Sequence, residues 1–189
     1  MNIDVFKKYY NDSCLKLSTR MNEFNNSMID ENELIDHNMK LFTNLNSDGK
    51  LVRGVLVNLG YSLINEKDVD YSYDLALAFE IFQTAILVHD DIIDNADLRR
   101  GKETIHSSNY NNYYKLTGNE GLSKKVSDSV AICMGDMGFY YANKVISTSY
   151  EKDKNLGRVL SYFNDIVIKT IKGETYKRTA QVSCEFWIW

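Results

Sequence analysis

The chain of 189 residues contains no proline and only three cysteines. Without proline it lacks the residue that most often interrupts a helix, so long helices are the first expectation. Cys14, Cys133 and Cys184 are too far apart for a metal knuckle and too few for a disulfide framework, which favours a reducing cytosol. No apolar run approaches the length of about 18 residues typical of a membrane span, and the first residues lack the apolar run of a signal peptide. We therefore expect a cytoplasmic protein without a transmembrane segment.

The sequence also lacks an excess of positive charge. Its 26 Asp and Glu residues outnumber its 22 Lys and Arg residues, which gives a formal net charge of -4. Binding to nucleic acid needs a concentrated basic surface, so we expect no nucleic-acid partner. An anionic small substrate at a local basic cluster remains compatible with this balance. The hydrophobic fraction of 44% suits a globular chain, and we predict a single domain over residues 1–189.

Apolar residues recur at helical spacing along most of the chain. This spacing predicts helices over residues 3–24, 29–44, 51–64, 71–96, 122–149 and 154–180. Residues 97–120 are polar and rich in Gly, Asn and Tyr, and they predict a loop with at most a short helix. No segment alternates with period two, so the predicted fold class is all-α.

Residues 87–106, LVHDDIIDNADLRRGKETIH, concentrate charged side chains. Asp90, Asp94 and Asp97 stand at i, i+4 and i+7, on one face of the predicted helix, and Asp91 lies about 100° round from Asp90. Like charges at this spacing repel each other, and the helix dipole disfavours anions at the C-terminus. A bound divalent cation would offset both effects, and Mg²⁺ is commonly held by one or two carboxylates plus substrate phosphates. The alternative is a solvated acidic helix end.

Basic side chains flank these acids along the sequence. Arg99 and Arg100 follow directly, with Lys102 close behind, and paired arginines suit bidentate recognition of phosphate. Upstream, Lys50 and Arg53 stand at a predicted loop–helix junction, where free backbone N–H groups also favour anions. Lys and Arg three residues apart are also common on solvated faces. Together, the two clusters predict two anionic groups held near one another.

These motifs resemble those of the trans-isoprenyl diphosphate synthases, the polyprenyl synthetase family. GKLVR at 49–53 is similar to the family's early GKxxR element. DDIID at 90–94 with RRGK at 99–102 resembles its first aspartate-rich motif with the trailing arginines. MGD at 134–136 and GE at 173–174 fall where the family has its GD and GQ or GE elements. The resemblance implies an all-α helical bundle of the isoprenoid synthase type.

The resemblance covers about residues 45–175 and implies a trans-prenyltransferase with two substrates. Asp90 and Asp94 would hold Mg²⁺ that bridges to an allylic diphosphate, with Asp91 in support. Arg99 would contact the same diphosphate. The implied reaction is ionisation of the allylic carbon–oxygen bond, attack by the double bond of isopentenyl diphosphate and loss of a proton, which yields a polyprenyl diphosphate.

The second substrate, isopentenyl diphosphate, would be bound through its diphosphate by Lys50, Arg53 and Arg100. Gln83 stands where many members have a His that contacts this substrate, and Gln can still donate a hydrogen bond. Gly54 occupies the position of the Pro that usually follows GKxxR in the family.

Product length depends, by the same resemblance, on the residues just before the acids. Ala85 and Ile86 are not aromatic, and Phe82 one turn earlier would form the floor of the pocket. This predicts a product of about C20 or longer, in keeping with a pocket that sets ligand size. The alternative is that Phe82 is an ordinary core residue.

Four further residues stand near these motifs. His89 could orient one of the acids or be a packed helix residue, and His106 is expected to be structural. Gly135 and Asp136 could form a functional pair, although a close helix crossing explains the glycine equally well.

The family carries a second aspartate-rich motif further along, and none is present here, since no Asp follows Asp165. We therefore expect a truncated isoprenoid synthase domain without its C-terminal helices, arising as a natural truncation, a frameshift or a fragment. This argues against catalysis by the chain alone. A non-catalytic helical partner that binds diphosphate or regulates a full-length synthase is the alternative. A terpene cyclase is disfavoured because it needs no isopentenyl diphosphate site. Family members commonly pair, which implies a homodimer.

Overall fold

The computed structural model describes residues 3–65 and 70–186. Within these residues the chain forms seven helices and one antiparallel hairpin of two short strands. In chain order these are α1 (Ile3–Ser27), α2 (Glu33–Ser47), α3 (Val52–Ile64), α4 (Asp70–Ile93), β1 (Leu98–Arg99), β2 (Lys102–Glu103), α5 (Ile105–Thr117), α6 (Glu120–Ser149) and α7 (Leu156–Phe186). The all-α prediction is confirmed. No helix in the described part of the chain is long and apolar enough to cross a bilayer.

Packing divides the chain into two compact units, Met1–Val145 and Ile146–Trp189. In the first unit, α4 contacts α1, α2, α3 and α5. Ala76, Ile81 and Ala85 of this helix are fully buried, so α4 forms the centre of the unit and carries the acidic motif at its end. The second unit contains the end of α6 and all of α7. The prediction of one domain stays a prediction.

Local signals explain where two of the helices begin. The Asn32 side chain accepts hydrogen bonds from the N–H groups of Leu34 and Ile35 and so caps α2. The Thr104 hydroxyl accepts one from the N–H group of Ser107 at the start of α5. By contrast, Leu51 precedes α3 with a left-handed φ of 53° and makes no side-chain cap. The first N–H groups of α3 therefore need partners from elsewhere in the fold.

The prediction of a loop over residues 97–120 is wrong in part. The structure has β1 and β2 there, paired as Leu98 with Glu103 and Arg99 with Lys102, followed by the 13-residue helix α5. Arg100 and Gly101 form the two-residue turn, with φ values of 54° and 79°. Two positive φ values are typical of the tight turns that match the twist of a hairpin. Strands of two residues are too short for an alternation of apolar and polar side chains to be visible in the sequence.

The end of α4 also differs from the prediction. Asn95 adopts a left-handed φ of 49°, and the Ala96 N–H donates to the Asp91 carbonyl at 2.8 Å. Asparagine is favoured at such helix ends because its side chain tolerates this conformation. The helix therefore stops before Asp97, so the prediction that Asp97 shares a helical face with Asp90 and Asp94 is wrong.

Candidate functional site

Asp91 is the buried member of the acidic motif. Its side chain is 2% exposed, and its Oδ1 accepts hydrogen bonds from Arg99 Nε at 2.7 Å and Nη2 at 2.6 Å. The hydrogen bond to Asp91, with further attraction from the charges of Asp90 and Asp94, raises the pKa of the Arg99 guanidinium above its ordinary value. The pair therefore fixes the hairpin against the end of α4.

Asp90 and Asp94 lie one turn apart at the end of α4. The Asp94 N–H donates to the Asp90 carbonyl at 2.8 Å, which continues the helical pattern up to this residue. Asp90 is half-buried and Asp94 is exposed. Carboxylate oxygens are the donors that Mg²⁺ prefers, so the chemistry of this pair fits that ion. Among the described residues there is no cluster of three or more His, Cys, Asp or Glu side chains arranged for a metal. A site here would thus consist of two protein carboxylates completed by substrate and water oxygens.

The hairpin is attached to the loop between α2 and α3 by an ion pair. Lys102 Nζ lies 2.7 Å from Asp48 Oδ2 and 3.0 Å from its Oδ1. Because Asp48 directly precedes Gly49 and Lys50, this contact brings the RRGK and GKLVR segments side by side. The structure thus places together the two basic clusters that the sequence analysis predicted to be neighbours.

Both ion pairs border one cavity of about 360 Å³, which extends between α2, the hairpin and the start of α5. Its wall includes the Asp91–Arg99 and Asp48–Lys102 pairs together with Asn44. The two pairs therefore share one cavity, whose wall also includes Leu41, Leu45 and Ile105.

Lys50 and Arg53 are exposed on either side of the α3 start. The Tyr10 hydroxyl of α1 donates to the Lys50 carbonyl at 2.5 Å. Leu51, between them, is buried and holds its left-handed conformation, which costs a residue with a side chain about 1–2 kcal/mol. The segment is thus held in an unfavourable backbone conformation by its contacts.

Glu80 of α4 is a functional candidate that the sequence analysis missed. Its side chain is buried, and its carboxylate accepts a hydrogen bond from the Gly54 N–H group at 2.7 Å. The Gly54 N–H group is therefore hydrogen-bonded to a carboxylate of the protein itself, and the prediction that free N–H groups at this junction favour a bound anion stays a prediction for its other N–H groups. Burial raises the pKa of Glu80 above its ordinary value, and the N–H groups with the charges of Arg53 and Arg100 offset part of that rise. An isolated acid within an apolar helix was the available sequence signal.

His89 connects α4 with α6. Its Nε2 lies 3.2 Å from Asp136 Oδ1, its Nδ1 lies 3.0 Å from the Ala85 carbonyl, and its ring stacks on Phe139. A Cβ atom on Gly135 would collide with the imidazole and lie 2.6 Å from Nδ1. Gly135 therefore makes room for a side chain, and Asp136 holds that side chain in place immediately before the acidic motif.

His106 is buried in the segment that follows the hairpin. Its Nδ1 lies 3.2 Å from the Thr104 hydroxyl, which itself donates to the Ala96 carbonyl at 2.8 Å. This chain of contacts connects α5 to the turn after the acidic motif, in line with the expected structural position of His106.

The three residues predicted to control product length lie on α4 below the acids. Phe82 is buried, with its ring centroid 5.8 Å from that of Phe139 on α6. Ala85 is fully buried against Gly138, and Ile86 is half-buried. Gln83, predicted to contact substrate, is half-buried on the same helix. The predicted roles of these residues stay predictions.

The family model described as polyprenyl synthetase matches residues 35–185. This range covers the acidic motif, both basic clusters, the His89–Asp136 contact and most of α7. The chain belongs to the polyprenyl synthetase family. The predicted membership is thereby confirmed.

Curated members of the family align with different shares of the chain. A geranylgeranyl diphosphate synthase from Saccharolobus solfataricus is 28% identical over 185 residues, which is 93% of this chain and 54% of that relative. A heptaprenyl diphosphate synthase component 2 from Geobacillus stearothermophilus is 40% identical over 103 residues, 54% of this chain and 30% of that relative. The chain thus spans about half the length, or less, of these relatives.

A solved structure has the same fold. The geranylgeranyl pyrophosphate synthase from Corynebacterium glutamicum, crystallised with isoprenyl diphosphate and magnesium, superposes with a TM-score of 0.72 at 22% identity. The superposition covers 93% of this chain and 50% of that one. This similarity shows that the chain adopts the fold found in about half of that structure.

Proposed function

We propose that this polyprenyl synthetase binds isopentenyl diphosphate and an allylic diphosphate and takes part in their condensation to a longer polyprenyl diphosphate. The observation that carries the proposal is the Lys102–Asp48 ion pair, with its Nζ–Oδ2 distance of 2.7 Å. This contact joins two basic segments that are far apart in the sequence. Two carboxylates alone would repel a diphosphate. Carboxylates that lie beside two basic segments can instead form a site for two diphosphate groups.

The allylic diphosphate would lie at the end of α4. Asp90 and Asp94 would hold Mg²⁺ there, and Arg99, fixed by Asp91, would face the diphosphate from β1. When bound, Mg²⁺ supplies positive charge that stabilises the departing diphosphate. The protein residues fix the leaving group in place, so that the carbon–oxygen bond breaks where the second substrate is held.

Isopentenyl diphosphate would lie between the α3 start and the hairpin tip. Lys50, Arg53 and Arg100 are exposed there, and their three positive charges match a diphosphate group. Gln83 of α4 would donate a hydrogen bond to the same substrate. The buried aliphatic surface of α4 would keep water from the reacting carbon.

The proposed product has about 20 carbons or more, because the residues one turn before the acids are small or aliphatic. Ala85 and Ile86 would line the tail pocket and Phe82 would close it. Replacing Phe82 by Ala in a form of the protein that turns over should lengthen the product, as seen by chromatography of the dephosphorylated alcohols. An unchanged product would refute Phe82 as the floor.

A further subunit is part of the proposal. Two relatives are named component 2 of a heptaprenyl diphosphate synthase, a name that denotes a multi-component enzyme. On the strength of that name we propose that this chain works with a second copy or with another chain. Light scattering during size-exclusion chromatography measures the mass of the purified assembly.

The test of the proposed function is an assay of the purified protein with labelled isopentenyl diphosphate, geranyl diphosphate and Mg²⁺. Incorporation of label into a longer chain is the expected result for a catalytic synthase. Binding of both diphosphates without turnover would instead favour the non-catalytic partner. A cyclic hydrocarbon formed from geranyl diphosphate alone would identify a terpene cyclase, and absence of any binding would contradict all three.

A further inference from the structure

Glu80 places a carboxyl group in α4, the helix at the centre of the first unit. Its residue exposure is 6%, and its helix neighbours Ala76, Ile81 and Ala85 are fully buried. Burying a carboxylate is costly unless its oxygens are hydrogen-bonded. The hydrogen-bond partner of Glu80 therefore shows which part of the fold this buried carboxylate stabilises.

The hydrogen-bond partner of Glu80 is the N–H group of Gly54, the third residue of α3. Leu51 precedes this helix without a side-chain cap, and Glu80 from α4 accepts the Gly54 N–H in place of such a cap. Proline at position 54, usual in the family, would have no N–H group to donate. Gly54 thus gives this chain a hydrogen bond that a proline could not make.

The approach of α4 to this point is close. A Cβ atom on Gly54 would collide with Leu17 and lie 3.1 Å from the Ala76 carbonyl and 3.2 Å from Glu80 Cγ. On the other side, Tyr10 donates to the Lys50 carbonyl. The backbone from Lys50 to Gly54 is therefore held at both ends, with the left-handed Leu51 between them.

We propose that Glu80 is a positioning residue for isopentenyl diphosphate: its carboxylate anchors the backbone of Arg53 and Gly54 and so sets where the basic side chains at the α3 start stand. The inference rests on the proposed function of this site. Glu80 does not touch the substrate in this scheme, since the N–H groups and the α3 backbone lie between them.

The anchor has an electrostatic consequence as well. The charges of Arg53 and Arg100 both act on the Glu80 carboxylate, so guanidinium groups from α3 and from the hairpin tip lie within range of one buried anion. Without substrate, the guanidinium groups of Arg53 and Arg100 repel each other. The negative charge of Glu80 opposes this repulsion and so helps to order the site before substrate binds. A site ordered in advance loses less entropy when the diphosphate binds.

Two variants separate side-chain length from charge. Glu80→Asp keeps the charge but is one methylene shorter, so it should not reach the Gly54 N–H group. Glu80→Gln keeps the length and one acceptor oxygen but has no charge. Thr84→Val is the matched control, because Thr84 is equally buried one turn further along α4 and its hydroxyl donates only within the helix, to the Glu80 carbonyl at 3.2 Å.

The experiment is calorimetric titration of the full chain and each variant with isopentenyl diphosphate, and separately with geranyl diphosphate in Mg²⁺. We expect Glu80→Asp to weaken isopentenyl diphosphate binding about tenfold or more, the size of a lost hydrogen bond to a charged group. Its binding of geranyl diphosphate should stay unchanged. Glu80→Gln and Thr84→Val should bind isopentenyl diphosphate about as the wild type does, within roughly threefold.

Several results would overturn the inference. Wild-type affinity in Glu80→Asp would show that the anchor is not needed, and a loss confined to Glu80→Gln would assign the effect to charge. Parallel weakening of both diphosphates would identify a general structural role. If the wild type bound neither diphosphate, the proposed function would fail and the inference with it, whereas binding that the Glu80 variants leave unchanged refutes the inference alone.

If Glu80→Asp is less stable than the wild type, amide hydrogen exchange still tests whether Glu80 anchors the start of α3. The Gly54 N–H should exchange faster in Glu80→Asp than in Glu80→Gln, with no substrate present, while amides in the middle of α4 exchange alike in both. Equal exchange at Gly54 in the two variants would overturn the anchor directly.

Discussion

Lys102 Nζ contacts both carboxylate oxygens of Asp48, at 2.7 and 3.0 Å. These residues are 54 positions apart in the sequence, and one lies on the hairpin while the other ends α2. Arg100 and Lys50 lie next to this contact in the chain, so the ion pair determines how close the two basic segments stand. The site depends on this connection as much as on the acidic motif.

Lys102→Met should therefore affect ligand binding more than stability. Lys102 is exposed and Asp48 is half-buried, and ion pairs in contact with solvent contribute about 1 kcal/mol or less to the free energy of unfolding. Loss of the connection between hairpin and loop should nevertheless weaken isopentenyl diphosphate binding several-fold in a calorimetric titration. Lys40→Met is the control, because Lys40 is exposed to a similar extent, 69% against 62% for Lys102, and forms its ion pair with Asp36 within α2. Equal affinities in the two variants would contradict this prediction.

Asp91→Asn should destabilise the fold far more than Asp94→Asn. Asp91 is buried against Arg99, and removing its charge leaves the guanidinium without its partner, at a cost of about 1–3 kcal/mol in the free energy of unfolding. Asp94 is exposed at a helix C-terminus, where a negative charge is unfavourable. Urea unfolding of both variants measures the difference. Adding Arg99→Gln to Asp91→Asn should recover part of the loss, and strict additivity would contradict the pairing.

Gly135→Ala should destabilise the α4–α6 contact. Its new methyl group would collide with the His89 ring, and overpacking of this kind costs about 1–3 kcal/mol. Gly60→Ala should have the opposite effect, because Gly60 is helical, exposed and has nothing within 4 Å of an added Cβ. Alanine there should gain about 0.5–1 kcal/mol in helix propensity. Thermal unfolding compares the two, and adding His89→Ala to Gly135→Ala should restore stability.

The free energy of unfolding should fall in mild acid because of the protonation of His106. Burial lowers the pKa of this imidazole, and Lys124 lowers it further, while Asp128, Asp91 and Asp97 act in the opposite direction. Because the folded-state pKa lies below the unfolded value of about 6.5, the folded protein takes up this proton less readily than the unfolded chain. The stabilisation is therefore complete above the unfolded pKa and is lost as the pH falls through the folded one.

Urea unfolding at about pH 7.5 and pH 5 tests this behaviour. His106→Gln should be destabilised relative to the wild type at the higher pH, and the difference should shrink at the lower pH. A difference that is the same at both pH values would show that His106 does not titrate in this way.

The helices were predictable because their apolar spacing records which face is buried. The hairpin was not, since two strands of two residues carry no periodic signal and Arg100–Gly101 is not a common hairpin turn pair. The position of Asp97 was misjudged because one left-handed residue, Asn95, ends α4 where the acidic pattern continues. The left-handed conformation of Asn95 depends on local hydrogen bonds, and the spacing of apolar residues carries no information about them.

The candidate site was predictable in its residue types and not in its internal pairing. The acids and bases were located by their spacing, but Asp91 with Arg99, Lys102 with Asp48 and Glu80 with the α3 start are contacts between elements. Only the fold specifies them. Glu80 in particular looked like part of an apolar helix, and its role depends on Gly54, which lies 26 positions earlier.

The most direct measurement of diphosphate recognition is a calorimetric titration with geranyl diphosphate, with and without Mg²⁺, on the wild type and the Asp90→Asn/Asp94→Asn double variant. We predict binding by the wild type that depends on Mg²⁺ and is lost in the double variant. The same variant should bind isopentenyl diphosphate normally without the metal. Absence of binding, or binding of geranyl diphosphate that neither Mg²⁺ nor the two carboxylates affect, would contradict a two-diphosphate site at the end of α4.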